Sequence, residues 1–214
     1  MTMPDLDGRI ARSGVRWSFV VPKDWWEIPL GNPGRTNAAI KRLLHAQFGH
    51  ADADAGAKRR VRADLLAAAS EAASAGGRLL LISHIPAGDA IVTTNTVVYE
   101  PQPQPSSSRE VEDLFLDLAQ NAPEGALAER TVFDLGALAR IVTIQRDAIV
   151  APEGPGFEEG HSSLDNLKVE YWIWCEDEKL LLYVVCASPW IPVADSLLIL
   201  FDALVNTLVV ETED

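Results

Sequence analysis

The clearest pattern in the chain is a period of two near its end. Val169, Tyr171, Ile173 and Cys175 alternate with Glu170, Trp172 and Trp174. After Glu176–Lys179 the alternation resumes, with Leu180, Leu182, Val184 and Cys186 set against Leu181, Tyr183 and Val185. Period two sends successive side chains to opposite faces of a strand. The segment therefore predicts a hairpin with Cys175 opposite Leu180 and Val169 opposite Cys186. The first set forms a core wall. The second is apolar enough to need cover, while Glu170 places one end of that face near water. Beyond Pro192 the period changes. Leu197, Phe201, Leu204 and Leu208 recur every three or four residues, which predicts an amphipathic helix. Leu198, Leu200 and Val205 widen its apolar surface to two sides.

The same reading upstream gives a first strand at Trp17–Pro22, stopped by its proline, and a second extended piece at Trp25–Leu30, broken by Gly31, Pro33 and Gly34. Ile40, Leu43, Leu44 and Phe48 predict a short helix over 36–48. After a polar break at Ala51–Gly56, a longer helix runs from about 57 to 75. Its face is Val61, Leu65, Ala68 and Ala72, and Gly76-Gly77 is its stop. Leu79–His84 and Asp89–Tyr99 read as strands, the second with branched side chains on both faces. Pro101–Pro105 and the three serines after it form a stiff, exposed connection. Ser108 is the expected cap of the next helix, with Glu110 and Glu112 in its first turn and Val111, Leu114, Phe115 and Leu118 facing inward. Thr131–Leu135 and Ala137–Arg146 are strands about Gly136, and Pro152–Gly160 is expected to be mobile. Residues 1–15 are expected to be a flexible arm. Residues 16–214 then form a single α/β domain with a helical insertion at about 51–76.

Several of these segments carry a family resemblance. They are Phe19–Pro22 with Trp25-Trp26-Glu27-Ile28-Pro29-Leu30, then Asp134-Leu135-Gly136 running into Arg140. The strands Val169–Trp174 and Leu180–Ala187 follow, and last Leu200-Phe201-Asp202-Ala203-Leu204-Val205 in the closing helix. In that order they resemble the Mog1/PsbP-like group, in an actinobacterial-type version. The resemblance implies an α+β fold: an antiparallel sheet flanked by helices in an α/β/α sandwich, with the C-terminal helix packed on the sheet. It also implies a role in contacting other proteins or supporting assemblies. Residues 51–76 have no clear place in the group's pattern.

Composition narrows the partners. With 214 residues, 48% of them apolar, the chain can fill one sizeable core. A formal charge of -13 opposes phosphate backbones and anionic lipid, so neither nucleic acid nor membrane is expected as a partner. No window reaches the ~20 continuous apolar residues of a membrane helix. The opening residues lack the apolar stretch of a signal peptide, and a cytoplasmic location is expected. The one basic cluster, Lys58, Arg59, Arg60 and Arg62, reads either as a solvated helix face or as a small anion contact.

Candidate chemistry is sparse. In the predicted hairpin Cys175 and Cys186 share a face but stand roughly 20 Å apart at strand rise, too far for a disulfide. They read as two buried small hydrophobes. His45 and His50 are five apart, whereas helical metal pairs favour three or four. His84 and His161 add no ligand spacing. No phosphate-binding glycine loop, nucleophile elbow or zinc pattern is present. Ser83 and His84 are neighbours on a strand and point to opposite faces. Glu153, Glu158 and Glu159 lie among glycines, where fixed catalytic geometry is not expected. Catalytic residues, metal ligands and cofactors are therefore all expected to be none.

What remains is aromatic. Trp172, Trp174 and Tyr183 share one predicted strand face, and Trp190 follows just beyond. Such side chains bury much area and keep a polar handle, as interface hot spots do. Either this face is covered from within, by the segment of Trp25 and Trp26 or by a helix, or it meets another protein or a second copy. The first functional reading is thus a non-enzymatic interaction or scaffold protein. The alternative is a small-molecule binder or enzyme with a pocket between sheet and helices, in which Thr94, Asn95, Thr96 and Arg140 converge.

Overall fold

The computed structural model describes residues 10–12, 15–49, 55–87, 90–149 and 162–212. The period-two segments become long antiparallel strands. In chain order the elements are β1 (Ile10–Arg12), β2 (Val15–Ser18), β3 (Trp25–Pro29), α1 (Pro33–Phe48), α2 (Ala55–Ser74), β4 (Gly77–Ala87) and β5 (Ala90–Tyr99). Then follow α3 (Ser108–Gln120), β6 (Leu127–Phe133), β7 (Gly136–Ile149), β8 (Ser162–Cys175), β9 (Leu180–Ser188), α4 (Ala194–Val205) and β10 (Val209–Thr212). Among the described residues, seven strands form one sheet in the order β3-β4-β5-β9-β8-β7-β6, and β1-β2-β10 form a small second sheet. All their pairings are antiparallel.

The closing hairpin has the register its periodicity predicts: Cys175 pairs with Leu180, and Val169 with Cys186. Its inner face carries Val169, Tyr171, Ile173, Leu182, Val184 and Cys186, all buried. They join α4 and the small sheet in the main core, where Phe201 and Trp17 are buried. The helix stripe Leu197, Phe201, Leu204 and Leu208 is buried as its spacing requires, although α4 ends at Val205 and Leu208 lies just past it. The opposite face of the sheet is covered in two separate patches. Helices α1 and α2 cover Ile28 and Leu80, and α3 covers Ala139, Trp174 and Leu181.

Several boundaries differ from the sequence expectation for local reasons. Helix α1 starts at Pro33 rather than 36. Asn32 accepts hydrogen bonds from the Gly34 and Arg35 backbone N–H groups at 2.9 and 3.1 Å, and proline suits the first turn, where its missing N–H has no partner to lose. The Pro33-Gly34 pair thus begins a helix instead of breaking a strand. Ser107, not Ser108, caps α3, and Glu110 folds back onto the Ser106 N–H at 2.8 Å. On α2 the buried positions are Ala69 and Ala72, while Ala68 is exposed. The first strand stops at Ser18, and the segment expected as a flexible arm contains β1, paired with β2. Strand β6 begins four residues earlier than expected, at Leu127, and β7 extends to Ile149. The proline-rich connection after β5 is docked rather than free. Gln104 accepts from the Leu181 N–H at 2.6 Å and donates to the Leu181 carbonyl at 3.1 Å. Its amide takes the place of a strand where β5 has ended. Pro152–Gly160 lies outside the described residues.

Candidate functional site: an aromatic strip across three strands

On the outer face, the register sets Tyr99 of β5, Tyr183 of β9 and Trp172 of β8 in one row. The rings stack: Tyr99 and Tyr183 have centroids 5.5 Å apart at 29°, and Tyr183 and Trp172 have centroids 4.2 Å apart at 23°. Offset stacking of this kind adds attraction beyond area burial. All three residues are half-buried. The row lies between the two helix-covered patches, since Val97 packs at the margin of the α1/α2 cluster and Trp172 at the margin of the α3 cluster. Val185 sits between Val97 and Glu170 in the same register.

The polar rim is tied to the rings. Tyr183 donates its hydroxyl hydrogen to Glu170, which also holds Lys168 at 3.1 Å. Burial, reinforced by the neighbouring Glu170 carboxylate, raises the Tyr183 pKa. Burial, together with Glu71 of α2, also raises that of Tyr99. Both phenols therefore stay neutral at physiological pH. The indole N–H of Trp172 is buried without a hydrogen-bond partner, a cost of roughly 1–3 kcal/mol by comparison with other unpaired buried groups.

The expected aromatic set divides. Trp172 and Tyr183 come together. Trp174 is only 3% exposed and lies beneath α3 with Val111 and Phe115. Trp190 packs on the other side of the sheet, with the main core. The cover over Trp174 is α3; Trp25 joins the main core and Trp26 the α1/α2 cluster. Tyr99, the third ring of the row, escaped the sequence reading. Its only signal is its place at the end of a strand whose neighbour, β9, lies more than eighty residues away.

The polar set proposed for a pocket does not converge. Ser83 and Thr94 share a buried hydroxyl contact of 2.7 Å, and Thr96 donates to the Cys186 sulfur at 3.3 Å. Asn95 points to the opposite face and is exposed. Arg140 is held by Asp202 of α4 and Glu129 of β6, and the buried Tyr171 donates to Asp202 at 2.8 Å. This network ties α4 to the sheet. His84 meets Gln47 of α1 on the face opposite Ser83, and burial lowers its pKa. In the basic cluster, Lys58 donates to the Gly49 carbonyl at 3.1 Å and Arg62 to Asn37 at 2.9 Å. Among the described residues no group of three or more metal-ligating side chains occurs, and no helix is long and apolar enough to cross a membrane. His50 and His161 and the glutamates of 153–159 lie outside the described residues.

The cysteines give a direct check on this core. Both are buried and free, and burial pushes each thiol up to about 12, from 9.0. Native protein at pH 8 is expected to leave a thiol-exchange reagent unconsumed, and denatured protein to consume two equivalents. Rapid labelling in the folded state would contradict the burial. A folded pKa above the unfolded one means that the unfolded chain loses its protons first. The stability contribution is therefore complete below about 9 and is lost as pH rises toward about 12.

No protein-family model matches the chain, and no curated protein matches it either.

Proposed function

We propose that this chain is a non-enzymatic interaction or scaffold protein of the cytoplasm whose docking floor is the Tyr99–Tyr183–Trp172 strip. The observation that carries the reading is the strip itself: three stacked, half-exposed rings between two helix-covered patches, with a charged pair at the rim. A partner protein laying an apolar side chain across those rings would bury aromatic area at small entropic cost, because the rings are already fixed by stacking. The kinship with the Mog1/PsbP-like group belongs to this proposal. What supports it is the antiparallel sheet flanked by helices, with α4 against it.

The test uses two variants. Trp172→Ala removes one ring. Val185→Lys raises a long side chain from the floor, opposite Glu170, whose carboxylate it would share with Lys168. A photo-crosslinking residue at the exposed Asn95 reports the bound partner. Both variants are expected to lose the crosslinked species while keeping the thermal melt of Val185→Lys within a few degrees of the parent. Undiminished crosslinking in both would remove the proposal.

A further inference from the structure

Strand β6 is the outer strand of the large sheet, bonded to β7 on one side only. Its residues from Leu127 through Val132 are all exposed, and two are large and apolar: Leu127 at 54% and Val132 at 80%. An open edge is a template for another strand, and proteins commonly blunt it with lysine, proline or a bulge. The sequence LAERTVF contains neither lysine nor proline, and its pairing with β7 runs without interruption from Leu127 opposite Val142 to Phe133 opposite Gly136. Its two charges are each paired within the chain. Arg130 is paired with Glu112 of α3 and lies over the Phe115 ring, and Glu129 is paired with Arg140. Within the strand the one acid and the one base balance, on a chain whose formal charge is -13.

We propose that β6 pairs with β6 of a second copy of this chain, joining the two sheets across a two-fold axis. An axis perpendicular to the sheet makes the strands antiparallel and keeps each face continuous. Opposed residues must then come from the same face, so the paired numbers share parity. The register that overlaps the whole strand is centred on Arg130. It sets Leu127 opposite Phe133, Ala128 opposite Val132 and Glu129 opposite Thr131, so both ends match apolar to apolar. Ala128 lines a cavity of about 230 Å³ between α3 and the sheet, together with Leu116, Leu118, Ala119, Ala139 and Ile141. Val132, the most exposed of the large apolar residues among those described, is thereby brought to the mouth of that cavity in the second copy. Each copy covers the other's cavity by the same contact. The surface is separate from the aromatic strip and does not depend on it.

Sedimentation equilibrium of the full chain over a range of concentrations tests this. The parent is expected to approach twice the 23.3 kDa of the chain. Val132→Lys is expected to weaken the dimer at least tenfold while the chain stays folded, since Val132 is 80% exposed in its own copy. Trp172→Ala is expected to leave the dimer intact, which separates this result from that for the strip. The register is read by cysteine crosslinking. Across the axis residue 130 faces its twin at about 4.5–5.5 Å between Cα atoms, within disulfide reach. Residue 132 lies roughly 13–14 Å from its twin at strand rise. Arg130→Cys is expected to crosslink on mild oxidation and Val132→Cys is not, and the buried native thiols do not compete. A mass of 23.3 kDa at every concentration, a dimer indifferent to Val132→Lys, or crosslinking at 132 and not at 130 would overturn the proposal.

Discussion

Phe201→Asp is expected to yield an unfolded chain. Phe201 has no exposed surface and sits where α4, the inner face of the hairpin and the small sheet meet. Emptying such a site to alanine costs about 3–5 kcal/mol. Aspartate adds the burial of a charge among apolar side chains, and Arg140, which reaches α4 through Asp202, is already shared with Glu129. Total stability for a domain is about 5–15 kcal/mol, so the variant has little or nothing left. Phe201→Leu keeps most of the volume and is expected to cost about 1.5 kcal/mol or less. Far-ultraviolet circular dichroism and a thermal melt separate the outcomes. A cooperative parent-like transition in Phe201→Asp would mean that α4 does not close this core.

The second large effect is at a glycine. Gly136 has φ +147°, and a Cβ there would lie 2.3 Å from the Trp174 carbonyl oxygen. Two costs coincide. The backbone conformation is one that side chains rarely adopt, at about 1–3 kcal/mol, and the obstructing atom belongs to the backbone of β8, which cannot swing away. Gly136 also begins β7, where the neighbouring Glu176 N–H donates to the Leu135 carbonyl at 3.0 Å. Gly136→Ala is therefore expected to lower stability by more than about 2 kcal/mol, with a fall in Tm of at least roughly 4–8 °C for a chain of this size. Gly31→Ala is the control: a Cβ there meets nothing within 4 Å, and its melt is expected to match the parent.

The closing hairpin is legible because two periods of two face each other across a four-residue turn: a slip of one residue would turn Val169, Ile173, Leu182 and Val184 out of the core, and the turn fixes the register. The α4 stripe was legible for the same reason, with period 3.6 in place of two. The small sheet was not. Strands of three or four residues such as Ile10–Arg12 and Val209–Thr212 are too short to show a period, and β2 pairs with β10 from the far end of the chain. Local chemistry misled where one signal has two meanings. Pro33-Gly34 usually breaks structure but follows an Asn32 cap here, and three consecutive serines leave the cap of α3 ambiguous.

At the candidate site, periodicity identified Trp172 and Tyr183 as facing the same way. It could not show that the α3 cluster would bury Trp174 and cover Trp172 only in part, because that depends on where Val111 and Phe115 dock. Proximity in sequence groups Trp190 with them, but it follows the end of β9, where alternation no longer governs direction. Thr94, Asn95 and Thr96 illustrate the same limit from the other side: neighbours in a strand cannot converge, and two of the three are turned into the core.

The outer face of the hairpin is half covered, with a half-exposed aromatic strip beside a buried tryptophan. Residue-resolved hydroxyl-radical footprinting of the native protein tests it most directly. Tyr183 and Trp172 are expected to oxidise several-fold faster than Trp174 and Tyr171, which are 3% and 1% exposed. Equal rates at Trp172 and Trp174 would contradict the account, as would protection of the whole row in the isolated chain.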